Sequence, residues 1–394
     1  MTLDLDRIDV FDPDLYAAGD PATNALPYDQ YAWLRENAPC VRLPCDIPGH
    51  EPSAWVVSRF DDVSAILRDS EHYVSGHGVT MRASHTTVAG DGGKPAMITM
   101  DGAAHSRNRR LINRGFTPAV IDRAVALGSF DFVAEIASQL PMHAICDLLG
   151  VPDADRPQLA RWTNAVSSPT DPEYGLDGED VGDVLGHIWD YGLELAELRR
   201  KDPGNDVMST IVDAADNDAL TADELMGFVF TLAAAGNETT RNSASHALLG
   251  LFNNPDQMRW LREHADRIPD TAIEEMLRWS TPVIYMRRTA TTDLEVHGCE
   301  IAAGDPIAAF SASANFDPDE FTDPSEFALD RTPNRHVTFA VGPHVCLGAH
   351  VARLELRVLF EELLRRTDAL SVTGRVEYAR DSYLRGVKRL GVQV

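Results

Sequence analysis

The sequence predicts a mainly α-helical fold with a minor β region. Three observations carry this. Thr221-Ala-Asp-Glu224 reads as a capping box, and the pattern after it stays helical until Asn253-Asn254-Pro255. A helix of about 30 residues follows, roughly 45 Å long at 1.5 Å per residue and enough to cross a whole molecule. Further helical patterns flank it, and only residues 283–310 alternate like strands, with His297-Gly298 and Ala303-Gly304-Asp305 as turn signals.

In chain order, residues 28–38 form a short helix. Ala54-Trp55-Val56-Val57-Ser58 reads as a strand and leads into a helix near 61–69. Residues 75–98 are irregular and rich in Gly, Ser, Thr and His, a length of loop that is usually functional or disordered. Helical patterns resume near 102 and run to about 165. Ser167-Ser-Pro-Thr-Asp-Pro-Glu-Tyr-Gly is a second loop. After the long helix, another covers about 269–279, residues 311–345 are Pro- and Asp-rich and irregular, and a last helix runs from about 347 to 366 before short C-terminal strands. With no internal repeat or low-complexity linker, residues 1–394 are expected to form one domain. Residues 1–27 are an N-terminal extension packing on it.

Of the 394 residues, 44% are hydrophobic and 24% charged, which suits a globular protein with a sizeable core. No apolar run approaches the roughly 20 residues of a membrane span, so no membrane anchor is expected. Met1-Thr-Leu-Asp-Leu-Asp-Arg lacks the basic start and apolar stretch of a secretion signal. Five scattered cysteines argue against a disulfide framework and for the reducing cytoplasm. Cys40, Cys45, Cys146 and Cys299 read as small buried apolar residues. The net charge of −26 excludes non-specific nucleic-acid binding.

Cys346 stands apart. It lies in Phe339-Ala-Val-Gly342-Pro343-His344-Val345-Cys346-Leu347-Gly348, between a Gly/Pro loop and the first turn of a helix. A thiolate there is favoured by the positive helix end. Gly342 permits a tight turn, and Gly348 lets a flat, large group lie against the helix start. Such a loop can present one sulfur as the axial ligand of a haem iron. A zinc site from His344, Cys346 and His350 is the rival, but the sequence has no second ligand pair with zinc spacing.

Inside the long helix, Ala235-Gly236-Asn237-Glu238-Thr239 places an acid and a threonine mid-helix. Thr239 is within reach of the Ala235 carbonyl four residues back. The segment is either an ordinary helix irregularity or a hydroxyl and carboxylate arranged to relay protons. Glu275 and Arg278, at i and i+3, share one helix face. His105 and Arg109 point the same way from a helix that begins near residue 102. On that helix Arg107, Arg110 and Arg114 fall on the opposite side. They form a basic stripe that is either a solvated face or a docking patch for an acidic partner.

Phe339, Gly342, Cys346 and Gly348, as Phe-x-x-Gly-x-x-x-Cys-x-Gly, resemble the haem-binding signature of the cytochrome P450 family. The other motifs follow in that family's order over roughly residues 28–394. The resemblance implies the family fold, a triangular helical prism with a long central helix over the haem. It implies haem b as cofactor, with Cys346 as the metal ligand. His105, Arg109, Arg288 and His344 match the propionate ligands, and Ala235, Gly236, Phe339 and Gly348 complete the cofactor-binding set. Glu238 and Thr239 resemble the oxygen-activation pair and are the expected catalytic residues. Glu275, Arg278 and Arg331 resemble the buried structural set supporting the haem loop. Ala340 departs from the family, where many members have glycine, and should cost the turn some flexibility.

The implied activity is a monooxygenase inserting one oxygen atom of O2 into a C–H bond of a small hydrophobic molecule. A steroid, terpenoid, branched lipid, or polyketide or peptide natural product fits. Electrons would come from NAD(P)H through ferredoxin reductase and ferredoxin, docking near Arg107, Arg110 and Arg114, with the enzyme a monomer. Expected substrate contacts are Thr231, Ala234, Val283, Ile284, Met286, Tyr383 and Leu384, with the loop 75–98 and the connection 165–182. Asn315-Phe316-Asp317 and Gly236–Asn242 resemble members that oxidise steroids and branched lipids, and related motifs occur in antibiotic tailoring enzymes. The alternatives are an oxidase acting on a carrier-protein-bound intermediate and a non-catalytic haem-thiolate sensor. Glu238-Thr239 speaks against the sensor.

Overall fold

The computed structural model describes residues 3–20, 24–82, 121, 124–175, 180–204, 206–217 and 220–394. The helices are α1 (Pro13–Ala17), α2 (Tyr28–Asn37), α3 (Phe60–Arg68), α4 (Gln139–Leu149), α5 (Arg156–Ser167), α6 (Val181–Lys201), α7 (Val207–Asp216), α8 (Ala222–Asn253), α9 (Pro255–Glu263), α10 (Asp270–Ser280), α11 (Ser311–Ala314) and α12 (Ala349–Arg366). The strands are β1 (Cys40–Pro44), β2 (Ser53–Val57), β3 (Tyr73–Val74), β4 (Ser129–Asp131), β5 (Met286–Ala290), β6 (Leu294–Val296), β7 (Cys299–Ile301), β8 (Pro306–Ala309), β9 (Ser371–Tyr378) and β10 (Val387–Gln393). The fold is mainly helical with a minor β portion.

α8 organises the molecule. Its capping box is complete: Thr221 Oγ1 accepts from the Glu224 amide at 3.1 Å, and Glu224 Oε2 accepts from the Thr221 amide at 2.9 Å. Two donors that a helix start leaves without partners are thereby satisfied. The helix then runs unbroken for 32 residues. Its first half buries Phe228, Val229 and Ala233 against α4, α5 and α7. Its second half buries Ala244, Ala247, Leu248 and Leu251 in a different cluster with α10, α12 and the N-terminal segment. One helix therefore threads two apolar cores.

The N-terminal segment belongs to the second of these. Ile8, Val10, Phe11 and Tyr16 are buried there, and the Tyr16 hydroxyl meets both the Val10 carbonyl and the Tyr31 hydroxyl. The five-stranded sheet has the order β1-β2-β8-β5-β3, with β2 and β8 parallel and the other pairs antiparallel. β4, β10 and β9 form a second sheet, and β6 and β7 a separate hairpin turning at His297-Gly298, both at positive φ.

The helical stretch expected over 102–165 is interrupted. β4 pairs with β10, and a π-helical turn, Val133–Ala137, follows it. Asp131 explains the break: its Oδ1 accepts from the amides of both Val133 and Leu390, tying the chain to β10. Among the described residues, no helix is long and apolar enough to cross a membrane.

Candidate active site

Cys346 is held by its backbone. Its amide donates to the Phe339 carbonyl at 2.8 Å, and the Val345 amide donates to the Gly342 carbonyl at 3.1 Å, closing the loop. Gly342 sits at φ +80°, where a Cβ would lie 2.7 Å from Arg68 Cα. Only glycine lets this loop lie on the end of α3. Ala340 has φ +54°, a left-handed conformation that costs an alanine about 1 kcal/mol. The departure from glycine is thus a backbone strain beside the thiol, and the expected loss of turn flexibility has this physical form.

From the loop, α12 leads away with Arg353 over the Phe339 ring at 4.6 Å and paired to Glu274 through two bonds of 2.6 and 2.8 Å. Burial alone would raise the Glu274 carboxyl. Bonds from Arg353 and His336 outweigh it and hold the pKa at about 2. The carboxylate thus stays charged and keeps the loop fastened to α10.

A cavity of about 550 Å³ opens against this loop. Its wall carries Phe339, His344, Cys346 and Gly348 from the loop, Arg288 from β5, and Thr231, Ala234, Ala235, Gly236 and Thr239 from α8. Val283, Met286, Tyr383 and Leu384 line it as well. The thiol of Cys346 is exposed, and a Cβ at 348 would touch its sulfur at 3.9 Å. Arg288 is 1% exposed and donates to the Arg287 carbonyl at 2.9 Å, while His344 Nε2 meets Ser75 Oγ at 3.4 Å. Thr239 donates to the Ala235 carbonyl at 2.9 Å without interrupting the helix.

One sequence expectation is corrected in its geometry. Ile284 was placed among the substrate contacts, but it is fully buried in the apolar core and absent from the cavity wall. Val283 bridges Leu384 at the wall, while the Ile284 amide donates to the Tyr383 carbonyl at 2.9 Å and its side chain turns into the core. Gly236 lines the cavity, as its place in the cofactor-binding set requires. A Cβ there would also collide with Ile145 Cδ1, so the glycine permits the close packing of α8 on α4 as well. His105 and Arg109, with Arg107, Arg110 and Arg114, lie outside the described residues.

Glu238 is 1% exposed and is not on the cavity wall. One turn on, Arg241 bonds its Oε2, donates to Asn164 at 3.1 Å and sits over the Tyr174 ring at 5.6 Å. Glu238 Oε1 is buried with no hydrogen-bond partner. Burial raises the Glu238 pKa, and the Arg241 guanidinium opposes this.

Glu275 and Arg278 are wholly buried and joined by two 2.8 Å bonds. Arg331 adds a bond of 3.1 Å to the same carboxylate, and Asn334 one of 3.0 Å. Arg278 reaches on to the carbonyls of Asn315, Pro324 and Glu326. This cluster therefore gathers the irregular stretch before the cysteine loop onto α10.

The sequence reading missed Glu355. It lies on the cavity wall, 3% exposed. Burial raises its pKa to about 7, against a lowering bond with Thr240. The signal was present: Glu355 occupies an inward position of α12 next to Leu356, where an acid is out of place. Arg82 was missed too, a buried cation on the wall paired with Asp381 at 3.4 Å.

Comparison with known proteins agrees with this geometry. Residues 193–375 match the Cytochrome P450 family. The chain is 36% identical to a methyl-branched lipid omega-hydroxylase of Mycobacterium tuberculosis, over 92% of this chain and 90% of the relative. It is 35% identical to a steroid C26-monooxygenase of the same organism, over 96% of this chain and 91% of the relative. A solved structure of a Mycobacterium marinum cytochrome P450 in complex with pseudoionone superposes with a TM-score of 0.87 at 32% identity, covering 100% of both chains. The chain is a haem-dependent monooxygenase and belongs to the cytochrome P450 family.

Proposed function

We propose that the chain hydroxylates a methyl-branched lipid or a steroid at a C–H bond held near Cys346. The single observation that carries this reading is the shared cavity wall, which joins an exposed thiol, three basic side chains and α8 threonines to apolar residues. The residues suit haem b. Cys346 supplies the iron ligand from a loop fixed by the Phe339 carbonyl. Arg288 and His344 answer the propionates, with His105 and Arg109 completing the set, and Phe339, Gly348, Ala235 and Gly236 border the group. When bound, haem supplies the oxygen-activating chemistry.

The chain's own residues do the rest. Thr239 holds a hydroxyl proton at the wall, and Glu238, the residue before it, takes up a proton when Arg241 moves off its carboxylate and gives it up when the pair re-forms. Glu275, Arg278 and Arg331 keep the loop in place. Thr231, Ala234, Val283, Met286, Tyr383 and Leu384 position the substrate, and the apolar walls of Leu148, Leu185, Trp189 and Phe230 exclude water. The omega-hydroxylase and C26-monooxygenase names of the relatives support a long or branched hydrophobic substrate. Electrons come from NAD(P)H through ferredoxin reductase and a ferredoxin that docks near Arg107, Arg110 and Arg114. The protein acts as a cytoplasmic monomer, one domain over residues 1–394.

The test is the carbon monoxide difference spectrum of the reduced protein, followed by a Soret shift titration with branched fatty acids and sterols. The wild type should give the red-shifted thiolate band and Cys346→Ser should lose it. A Cys346→Ser protein that kept the band would overturn the ligand assignment. A panel in which neither lipid class shifts the Soret band would overturn the substrate assignment.

A further inference from the structure

We propose that Cys40 and Cys299 form a reversible disulfide, made by peroxide, that fastens the β6–β7 hairpin to β1. The two residues are 259 apart in sequence, and folding brings them together: Cys299 Sγ donates to the Cys40 carbonyl at 3.0 Å. Both side chains also pack into the same apolar cluster. Cys146, by contrast, spends its thiol on Met142 Sδ at 3.5 Å. Cys40 is buried and Cys299 half-buried, so an oxidant reaches Cys299 first.

The position gives the bond a purpose. β1 is an edge strand of the five-stranded sheet, and the hairpin belongs to neither larger sheet. A polar contact ties it to α3, His297 Nε2 to Asp62 Oδ2 at 2.7 Å. Cys40 and Cys299 lie in the apolar cluster that also holds Val337, Ala340 and Val341, the residues leading into the Cys346 loop. A cross-link here would clamp the base on which that loop rests.

The chemistry balances. Hydrogen peroxide oxidises the Cys299 thiol to a sulfenic acid, releasing one water. The Cys40 thiol then displaces hydroxide from that sulfur; with its proton this leaves as a second water, and the S–S bond forms. A small-molecule dithiol restores both thiols by exchange. Burial and the neighbouring Cys299 raise the Cys40 pKa, so the second step is the slow one.

The experiment uses the full-length, haem-loaded protein and its Cys299→Ser variant. Each is treated with hydrogen peroxide or with diamide, which oxidises thiols without using the haem iron. Non-reducing peptide mapping should find the Cys40–Cys299 peptide in the wild type under both oxidants, absent from the variant and removed by dithiothreitol. Oxidation should raise the wild-type melting temperature by about 3–5 °C and leave the variant unmoved. Three results would each overturn the proposal: both thiols still alkylated after oxidation, Cys299 advanced to sulfinic acid without a link, or Cys299 linked to another cysteine. If the variant does not fold, the wild-type map decides alone.

Discussion

Gly342→Ala should destabilise the protein far more than Gly298→Ala, although both glycines have nearly the same backbone. Their φ angles are +80° and +76°. An alanine in that region costs about 1–2 kcal/mol at either site. The surroundings differ. At Gly298 a Cβ meets nothing within 4 Å, whereas at Gly342 it meets Arg68 Cα at 2.7 Å and the Leu67 carbonyl at 3.0 Å. Both neighbours are backbone and cannot swing away, so α3 or the cysteine loop must move. Overpacking of that kind adds about 1–3 kcal/mol. The totals are about 1–2 kcal/mol for Gly298→Ala and about 2–5 kcal/mol for Gly342→Ala. Unfolding entropy near 2.1 cal/mol/K per residue gives roughly 0.8 kcal/mol/K for this chain. Calorimetry should therefore show midpoints lowered by about 1–2 °C and about 3–6 °C. The reduction in unfolded-chain entropy is common to both and cancels in the comparison. Equal shifts would refute the argument that the loop's approach to α3 demands glycine.

Glu355→Gln should flatten part of the pH dependence of stability. The folded pKa of about 7 lies above the ordinary 4.5, so the wild type loses stability as pH rises between them, by at most about 3 kcal/mol. Urea midpoints at pH 5 and pH 8 check this, and parallel curves for wild type and variant would sink it. His246 has the opposite sign. It is buried beside Arg385 with its pKa well below 6.5, so stability falls as pH drops below about 6.5, by up to roughly 1.4 kcal/mol per unit. His246→Asn should weaken that acid slope in the same titration. Glu275→Gln leaves the buried Arg278 guanidinium without its carboxylate and should cost about 3–5 kcal/mol, read as a melting-point loss of about 4–6 °C. A loss below 1 °C would mean the cluster is not the anchor of the stretch before the cysteine loop.

Local chemistry was legible where it repeats along the chain. The Thr221 cap and the unbroken apolar pattern announced α8. The glycine and cysteine spacing announced a tight loop leading into α12. Helical period also explains what was read less well. Thr231, Ala235 and Thr239 are four apart and share the cavity face, while Glu238 is turned about 100° away, onto the face of Arg241. Other features depend on distant segments and leave no local trace. Asp131 stops a helix because β10 lies beside it, and Cys40 meets Cys299 only after the sheet and hairpin have formed.

The resting place of the cysteine loop has a consequence for recombining this protein with its relatives. Gly342 fits against Leu67 and Arg68, Arg353 against Glu274, and His344 against Ser75. A chimera with a crossover between residues 80 and 270 inherits the loop from one parent and its α3 seat from the other. At 36% identity the two halves need not match. Viable hybrids should be those that carry the loop and residues 67–75 as a single inherited block, even though some 270 positions of chain separate them.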